Sequence, residues 1–373
     1  MSTERETLCT IALTRLHGIG LHTARTLLEA AGSAALLFDQ PQELPRLMPG
    51  ATPRLLRLLA DHDEAFLFAQ AEYAHAIRNG YRCLPYWDED YPARLRECVD
   101  APTLLYYRGT ANLNATHALS IVGTRRMTDY GRRICENFLH DLAELCPDAL
   151  VVSGLAYGVD ICAHRAALAN GLDTVGVLAH GMDRIYPPVH RDTAAQMTRQ
   201  GGVLTEFPIG TNPDRQNFVR RNRIVAGMCE ATIVVESAAK GGALITAGMA
   251  GSYNRECFAF PGRVGDSTSE GCNKLILQNS AMLLTSAEDL VQALNWHTAT
   301  GHSRPIQREL FPELTAEQEK LYRILRQHPD GIQINTLVVE SETPVYRLTS
   351  LLFELELKGL VRPLFGGVYQ PIL

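Results

Sequence analysis

The sequence predicts an α/β fold in which a doubly wound parallel sheet is flanked by a helical unit and a small C-terminal unit. From about residue 81 to residue 294, short apolar runs of strand length alternate with stretches of helical periodicity. Strands that are apolar along their length indicate a parallel sheet covered by helices on both faces. The runs are SIVG from Ser120, ALVVSG from Ala149, TVGVLA from Thr174, GVLTEF from Gly202, ATIVVES from Ala231, ECFAFPG from Glu256 and AMLLT from Ala281.

The region before the sheet is predicted to contain helices only. Between Arg5 and Arg78 apolar residues recur at helical spacing, and no run alternates as a strand would. We expect a helical domain over residues 1–80, of the helix-hairpin-helix or SAM-like type. Its first turn holds Gly18 and Gly20, and exposed backbone N–H groups at a helix start suit a phosphate oxygen. A turn used only for packing is the alternative, because few cations flank it.

The C-terminal unit, residues 313–373, has the element order of a winged helix. Helices are predicted over Ala316 to Gln327, near Ile334 to Glu340, and from about Pro344 to Lys358. A hairpin-like tail, VRPLFGGVYQP, follows with its turn at Gly366 and Gly367. The stretch before this unit, residues 297–312, is polar and without periodicity, which predicts a linker.

Composition indicates an ordinary globular protein. Of 373 residues, 46% are hydrophobic and 20% are charged, and no apolar run approaches the length of a membrane-spanning helix. Acidic residues at the N-terminus argue against a signal peptide, so we expect a cytoplasmic protein without a membrane partner. The nine cysteines are odd in number and widely spaced, which predicts reduced packing residues and no metal site. The net charge of −6 requires any nucleic-acid site to be a local cluster of cations.

Such a cluster is predicted at the carboxyl ends of the strands, where open α/β sheets bind ligands. The loops that follow the strands combine glycine, hydroxyl and arginine residues, the types that suit an anion. The candidate residues are Gly123, Arg125, Arg126, Ser153, Gly154, Arg215, Asn217, Phe218, Arg220, Arg221, Asn222, Arg223, Lys240, Gly241 and Gly242. We interpret Phe218 among the arginines as a ring on which a base could stack. A solvated, ion-paired helix face is the alternative for the arginines alone.

No standard nucleotide fingerprint or catalytic set accompanies these residues. Neither a Gly-x-Gly-x-x-Gly after the first strand nor a Gly-x-x-x-x-Gly-Lys-[Ser/Thr] motif occurs. Some titratable residues do lie at or near strand ends, but structural roles are the simpler interpretation for them. They are Asp160, His164, His180, Asp183, His190 and Glu236.

Six segments resemble, in order, the motifs of the DNA-processing protein A (DprA/Smf) family, from about Tyr86 to Leu294. They are IVGTRRMTDYG, SGLAYGVDICAHRAAL, GMDRIYP, TEFPIGTNPDRQNFVRRNRIVAG, VVESAAKGGALITAGMA and FAFPGRVGDSTSEGCNKLI. The resemblance implies an extended Rossmann-like domain, residues 81–296, that binds single-stranded DNA. It also implies a homodimer that protects incoming DNA and loads RecA onto it during natural transformation, without enzymatic activity or cofactor.

The resemblance assigns roles to individual residues. Gly123 and Arg125 would cradle a phosphate with Ser153 and Gly154. Phe218 and the residues from Arg220 to Arg223 would line the path of the strand, and Lys240 would close the pocket. One departure is visible, because Lys-Ser-Gly is expected where this chain has Lys240, Gly241 and Gly242.

A nucleotide-monophosphate hydrolase with a Rossmann-like fold is the alternative function. The phosphate loop of such enzymes has a sequence similar to Pro-Gly-Gly-x-Gly-Thr-x-x-Glu. Here Gly248 and Met249 stand near the place of that glutamate, so the expected catalytic carboxylate is missing.

The C-terminal unit shows little sign of binding duplex DNA. Residues 313–373 hold eight acidic and six basic residues, a net charge of 6 − 8 = −2. The helix that would enter a major groove carries Glu354 and Glu356 beside Arg347 and Lys358. Because phosphate neutralisation supplies most non-specific affinity, we favour a protein-contacting or packing role, with duplex binding left open.

Overall fold

The computed structural model describes residues 3–296, 314–329, 331–364 and 367–372. The chain forms two compact units, residues 1–299 and 300–373, and each is described by itself. The predicted linker, 297–312, lies outside the described residues. The predicted domain boundary near residue 80 stays a prediction.

The first unit begins with helices, as the periodicity predicts. They are α1 (Glu4–Leu13), α2 (Leu21–Ala31), α3 (Ala34–Asp39), α4 (Leu44–Leu47), α5 (Pro53–Ala60) and α6 (Asp63–Arg78). Local chemistry sets their ends: the hydroxyls of Thr3, Ser33 and Thr52 accept N–H bonds at the starts of α1, α3 and α5. Gly32 ends α2 in the left-handed conformation, with φ of 72°.

A nine-stranded sheet follows. The strands are β1 (Arg82–Pro85), β2 (Leu104–Gly109), β3 (Ala118–Val122), β4 (Leu150–Ser153), β5 (Thr174–Val177), β6 (Gly201–Thr205), β7 (Ala231–Val234), β8 (Glu256–Ala259) and β9 (Met282–Leu283). Their order in the sheet is β1-β2-β6-β5-β4-β3-β7-β8-β9. The strands from β3 to β9 are parallel to their neighbours among themselves, which confirms the predicted fold class.

Two strands of the sheet were not predicted. β1 pairs with β2, and β2 with β6, in antiparallel orientation, so the sheet is mixed at this end. Helices connect and cover the strands. They are α7 (Ala93–Arg96), α8 (Asp129–Leu145), α9 (Val159–Ala169), α10 (Arg191–Met197), α11 (Arg215–Gly227), α12 (Ala243–Ser252), α13 (Glu270–Leu277) and α14 (Ala287–Ala293).

The sheet buries both of its faces. Successive residues of β4 alternate between two apolar clusters, with Leu150 and Val152 in one and Val151 in the other. The first cluster also contains Leu27 and Leu28 of α2, so the N-terminal helices share a core with the sheet. All nine cysteines are free thiols, and eight of them are buried. None of the helices in the described ranges has the length and apolar character needed to cross a bilayer.

The second unit has the predicted winged-helix order. It contains α15 (Ala316–Leu325), β10 (Ile332–Gln333), α16 (Ile334–Ser341), α17 (Val345–Leu357), β11 (Val361–Leu364) and β12 (Val368–Pro371). The three strands form a sheet in the order β10-β12-β11. Leu321, Leu337, Leu352 and Leu355 belong to its own apolar core. Of the predicted hairpin turn, Gly366 lies outside the described residues.

Tyr107→Phe tests the junction between β2 and β6. The Tyr107 side chain is fully buried, and its hydroxyl lies 2.9 Å from the carbonyl oxygen of Gly201 and 3.1 Å from that of Ala111. Losing this donor should lower the free energy of unfolding by about 1 kcal/mol. Urea unfolding followed by Trp87 and Trp296 fluorescence measures it. Tyr346→Phe, at an exposed tyrosine, is the control, and equal losses in both variants would contradict the assignment.

Candidate nucleic-acid interface

The carboxyl ends of the parallel strands define the candidate site. β3 lies between β4 and β7 in the sheet, so the chain proceeds from β3 in one direction through β4 to β6 and then in the other through β7 to β9. Ligands of open α/β sheets bind where the strand order reverses in this way. The loops that follow β3, β4, β5, β6 and β7 therefore meet along one edge. We use the name carboxyl-edge surface for the exposed Arg125, Arg126, Arg215 and Lys240 together with the partly buried Phe218, which lie in and beside these loops.

The loop after β3 is held by its neighbours and presents two arginines. Thr124 donates its backbone N–H to the carbonyl of Glu236 at 2.8 Å. The Glu236 carboxylate accepts the backbone N–H of Thr128 at 2.9 Å and its hydroxyl at 2.5 Å, where Thr128 caps α8. The side chains of Arg125 and Arg126 are exposed. The loop is thus anchored from β7 while its cations face solvent.

Ser153 and Gly154, after β4, are buried rather than presented. The Ser153 hydroxyl donates to the carbonyl of Ile121 at 2.6 Å, so it is engaged inside the protein. Position 154 requires a glycine for packing and not for the approach of a ligand, because a Cβ there would overlap the guanidinium of Arg221. Both residues therefore support the carboxyl-edge surface from within the protein.

Arg221, from α11, occupies the space left by Gly154. Its side chain is buried, with 3% exposure, and Nη1 donates to the carbonyl oxygens of Gly154, at 2.5 Å, and Val177. Burial lowers its pKa to about 10, which the charge of Asp160 opposes. Burial likewise raises the pKa of Asp160, and Arg221 counteracts that rise. The guanidinium therefore remains charged at neutral pH and ties α11 to the ends of β4 and β5.

Phe218 is the aromatic centre of the carboxyl-edge surface. The guanidinium carbon of Arg125 lies 5.0 Å from the centroid of the Phe218 ring, and that of Arg221 lies 6.0 Å away. The ring of Tyr186, in the loop after β5, lies 5.9 Å from Phe218 at an angle of 58°. Side chains from two loops and from α11 itself thus surround this ring.

The remaining arginines of α11 differ in exposure. Arg215 is exposed, whereas Arg223 is buried and shares the carboxylate of Glu206 with the half-exposed Arg220, at 2.5 and 2.8 Å. Arg223 also donates to the carbonyl of Asp100. One carboxylate therefore pairs with two of the predicted cations, and the group of three keeps a net positive charge.

The two asparagines of α11 face internal partners. The side-chain nitrogen of Asn217 donates to the carbonyl of Asn212 at 3.0 Å. The side-chain oxygen of Asn222 accepts from Nε of Arg221 at 3.3 Å. Both residues are half-buried.

The loop after β7 contributes Lys240. Its side chain is exposed, and Gly242 precedes α12 without a side-chain cap on the helix N-terminus. A Cβ at Gly241 would overlap the hydroxyl oxygen of Ser237. The buried hydroxyl of Ser237 thus occupies the space that a Cβ at position 241 would take, which is relevant to the departure from the family motif.

The titratable candidates have structural surroundings. His164 is fully buried, burial lowers its pKa to about 3, and its Nδ1 lies 2.7 Å from the hydroxyl of Thr174. That hydroxyl donates to Val151, so the neutral imidazole donates to it. Asp183 accepts from Arg184 and from the backbone of Gly210. Within the described ranges, no group of three or more His, Cys, Asp or Glu side chains is placed to hold a metal ion.

The remaining histidines are partnered by backbone groups. His180 and His190 place Nδ1 2.8 Å from the carbonyls of Gly181 and Leu155 respectively, and burial lowers the pKa of both. In addition, Nε2 of His180 lies 3.3 Å from the backbone nitrogen of Tyr186. These contacts hold the loop that presents Tyr186.

The N-terminal turn lies beside α11. Gly18 has φ of +86° and Gly20 caps α2 without a side-chain bond to its first N–H groups. Gly20, Arg15, Glu206 and Arg220 line one cleft of about 190 Å³. A phosphate contact at Gly18 and Gly20 stays a prediction.

Sequence reasoning missed Tyr186 and Glu206. Tyr186 precedes a proline in the loop after β5, and the aromatic-proline pair in a strand-end loop was the available signal. Glu206 follows β6 directly, 14 and 17 residues before the arginines it pairs with. That separation gives no periodic signal, because only the fold brings the side chains together.

The fold and the site define a Rossmann-type protein with exposed cations and an aromatic ring at the carboxyl edge of its sheet. The family model for DNA recombination-mediator protein A matches residues 82–295, and that for the DprA winged helix domain matches residues 308–367. The chain belongs to the DNA recombination-mediator protein A family, the DprA/Smf family that its motifs resemble. The predicted family is confirmed.

Named relatives agree with this membership. DNA processing protein DprA of Streptococcus pneumoniae is 38% identical over 204 residues, which cover 55% of this chain and 71% of that protein. Protein Smf of Escherichia coli is 34% identical over 302 residues, 77% of this chain and 76% of that protein.

Solved structures give the same result. The X-ray structure of S. pneumoniae DprA has a TM-score of 0.64 and 30% identity, and covers 79% of this chain and 98% of that one. A structure that addresses the single-stranded DNA binding mode of Helicobacter pylori DprA has a TM-score of 0.52 and 28% identity, covering 58% and 95%.

Arg223→Ala and Arg220→Ala form a matched pair on one carboxylate. Removing Arg223 leaves the buried Glu206 paired only with a half-exposed arginine, so the free energy of unfolding should fall by about 3 kcal/mol. Removing Arg220 should cost less than about 1 kcal/mol, because its guanidinium is half exposed. Urea unfolding measures both. Equal losses would show that Arg223 is not a buried structural partner.

Proposed function

We propose that the protein binds single-stranded DNA along the carboxyl-edge surface and acts as a recombination mediator rather than an enzyme. The observation that carries the proposal is the convergence of Arg125 and Phe218, 5.0 Å apart, at the reversal of strand order. A cation beside a partly exposed ring offers one contact for a phosphate and one for a base, the combination that holds flexible single strands. The H. pylori relative, whose structure addresses single-stranded DNA binding, supports this choice of ligand.

The contacts divide between exposed and buried residues. We assign phosphate contacts to Arg125, Arg126, Arg215 and Lys240, whose side chains are exposed. We also assign backbone contacts to Gly123, Gly241 and Gly242. Of these, Gly242 has open space where a side chain would stand, so a strand can approach its backbone closely. Ser153, Gly154, Arg221, Asn222 and Arg223 act indirectly in this proposal, since their polar side chains or backbones are bonded within the protein.

Further partners follow from family membership. We infer that the protein forms a homodimer and loads RecA onto bound DNA during natural transformation in the cytoplasm, without a cofactor. The supporting observation is the family match over residues 82–295. Steady release of a base from AMP by the purified protein would contradict the non-enzymatic role.

Arg125→Ala should weaken single-strand binding and reduce its salt dependence. If Arg125 neutralises one phosphate, the slope of log affinity against log salt should fall in magnitude by about 0.7. Fluorescence anisotropy with a labelled oligonucleotide at several salt concentrations measures it. Arg46→Ala, at an exposed arginine of α4, is the matched control and should leave the slope unchanged. An unchanged slope for Arg125→Ala would reject the phosphate contact.

Phe218→Ala should reduce binding by about 1 to 3 kcal/mol, the usual value of one base stacked on an aromatic ring. Phe218→Tyr keeps the ring and should retain most of the affinity. The comparison is repeated with an oligonucleotide containing abasic positions, for which the two variants should bind alike. If Phe218→Ala loses as much affinity for the abasic strand, the ring holds the protein surface in shape instead of stacking on a base.

A further inference from the structure

The second unit exposes large apolar side chains on one helix. Tyr346, Phe353 and Leu357 of α17 are 80%, 59% and 65% exposed. A polar outer face is the ordinary arrangement for a helix that packs on one side only. Exposed apolar clusters of this kind mark interaction sites. We call these three residues the outer stripe.

The outer stripe is opposite the buried face of the same helix. α17 packs Leu348, Leu352 and Leu355 into the core of the second unit. At about 100° per residue, positions 346, 353 and 357 fall together on the opposite side. The helix is therefore apolar on two opposed faces, and only one of them is covered within the unit.

The cations of α17 are already engaged. Arg347 pairs with Glu317 at 2.8 Å, and Lys358, just beyond the helix, donates to the side-chain oxygen of Gln318 at 2.9 Å. Glu354 and Glu356 flank the outer stripe, one on each side of the helix, and Glu354 also accepts a hydrogen bond from the side-chain nitrogen of Gln318 at 2.5 Å. Phosphates would meet apolar side chains and carboxylates there, so this face is poorly suited to a DNA groove.

We propose that the outer stripe docks a protein segment of basic, amphipathic helical character. The apolar ridge of such a segment would cover Tyr346, Phe353 and Leu357, and its flanking Lys or Arg side chains would face Glu354 and Glu356. Charge complementarity selects this occupant over a second copy of the chain, because two acidic flanks would oppose each other in a symmetric pair. The outer stripe shares no residue with the proposed DNA site, and this proposal does not depend on that site.

The test uses the full chain and a defined peptide. The probe is a fluorescent amphipathic helix of about 18 residues with leucines on one face and lysines on the others. It should bind saturably, and Phe353→Ser combined with Leu357→Ser should weaken binding by about tenfold or more. Leu67→Ser, at a residue of α6 that is 69% exposed, is the matched control and should bind as the unchanged protein does. Tyr346→Ser provides a second, independent removal of the outer stripe.

Several results would overturn the proposal. Equal binding by the double variant and the unchanged protein would mean that the peptide is attracted only by general negative charge. A version of the peptide with glutamates for lysines should not bind, and equal binding would remove the charge argument. Concentration-dependent dimers abolished by the double variant, measured by sedimentation, would identify a second copy as the occupant. Loss of duplex DNA binding in that variant would identify a nucleic acid instead. Circular dichroism checks that the variants stay folded.

Discussion

The carboxyl-edge surface depends on one buried guanidinium. Arg221 reaches under the surface from α11 and bonds the carbonyls of Gly154 and Val177, so the helix is fixed to the ends of two strands. A charge in this position is tolerated because the carbonyls and the nearby Asp160 replace the lost water. Phe218 lies about one turn earlier on the same helix, so the buried bonds of Arg221 also fix the position of this partly exposed ring. Gly154 is part of the same constraint, since a side chain there would displace the guanidinium.

The fold was largely predictable, because each parallel strand is a continuous apolar run bounded by helical sequence. β1 and β2 were not predicted: they lie in antiparallel pairing at one end of the sheet, where the alternation of strand and helix does not hold. The site was predictable as a set of loops but not as a set of contacts. The sequence alone does not distinguish the arginines of this run from one another. The packing of α11 makes the difference, because Arg215 is exposed whereas Arg221 and Arg223 are buried.

The departure from the family motif at Gly241 fits the packing around that position. The hydroxyl of Ser237 lies where a larger residue at 241 would extend, so a hydroxyl is present at that place from a different residue. The glycine and the serine are compatible because only one of the two positions needs to fill the space. Compared with the family motif, this chain lacks a side chain at position 241, but the hydroxyl of Ser237 keeps a polar group in that space.

Glu206 affects the net charge of the candidate site as well as its packing. By pairing with both Arg220 and Arg223, its carboxylate offsets part of the positive charge that the arginines of α11 supply. Replacing Glu206 would therefore raise the net positive charge beside α11 and at the same time leave the buried Arg223 without its carboxylate, so charge and folding are linked at this one position.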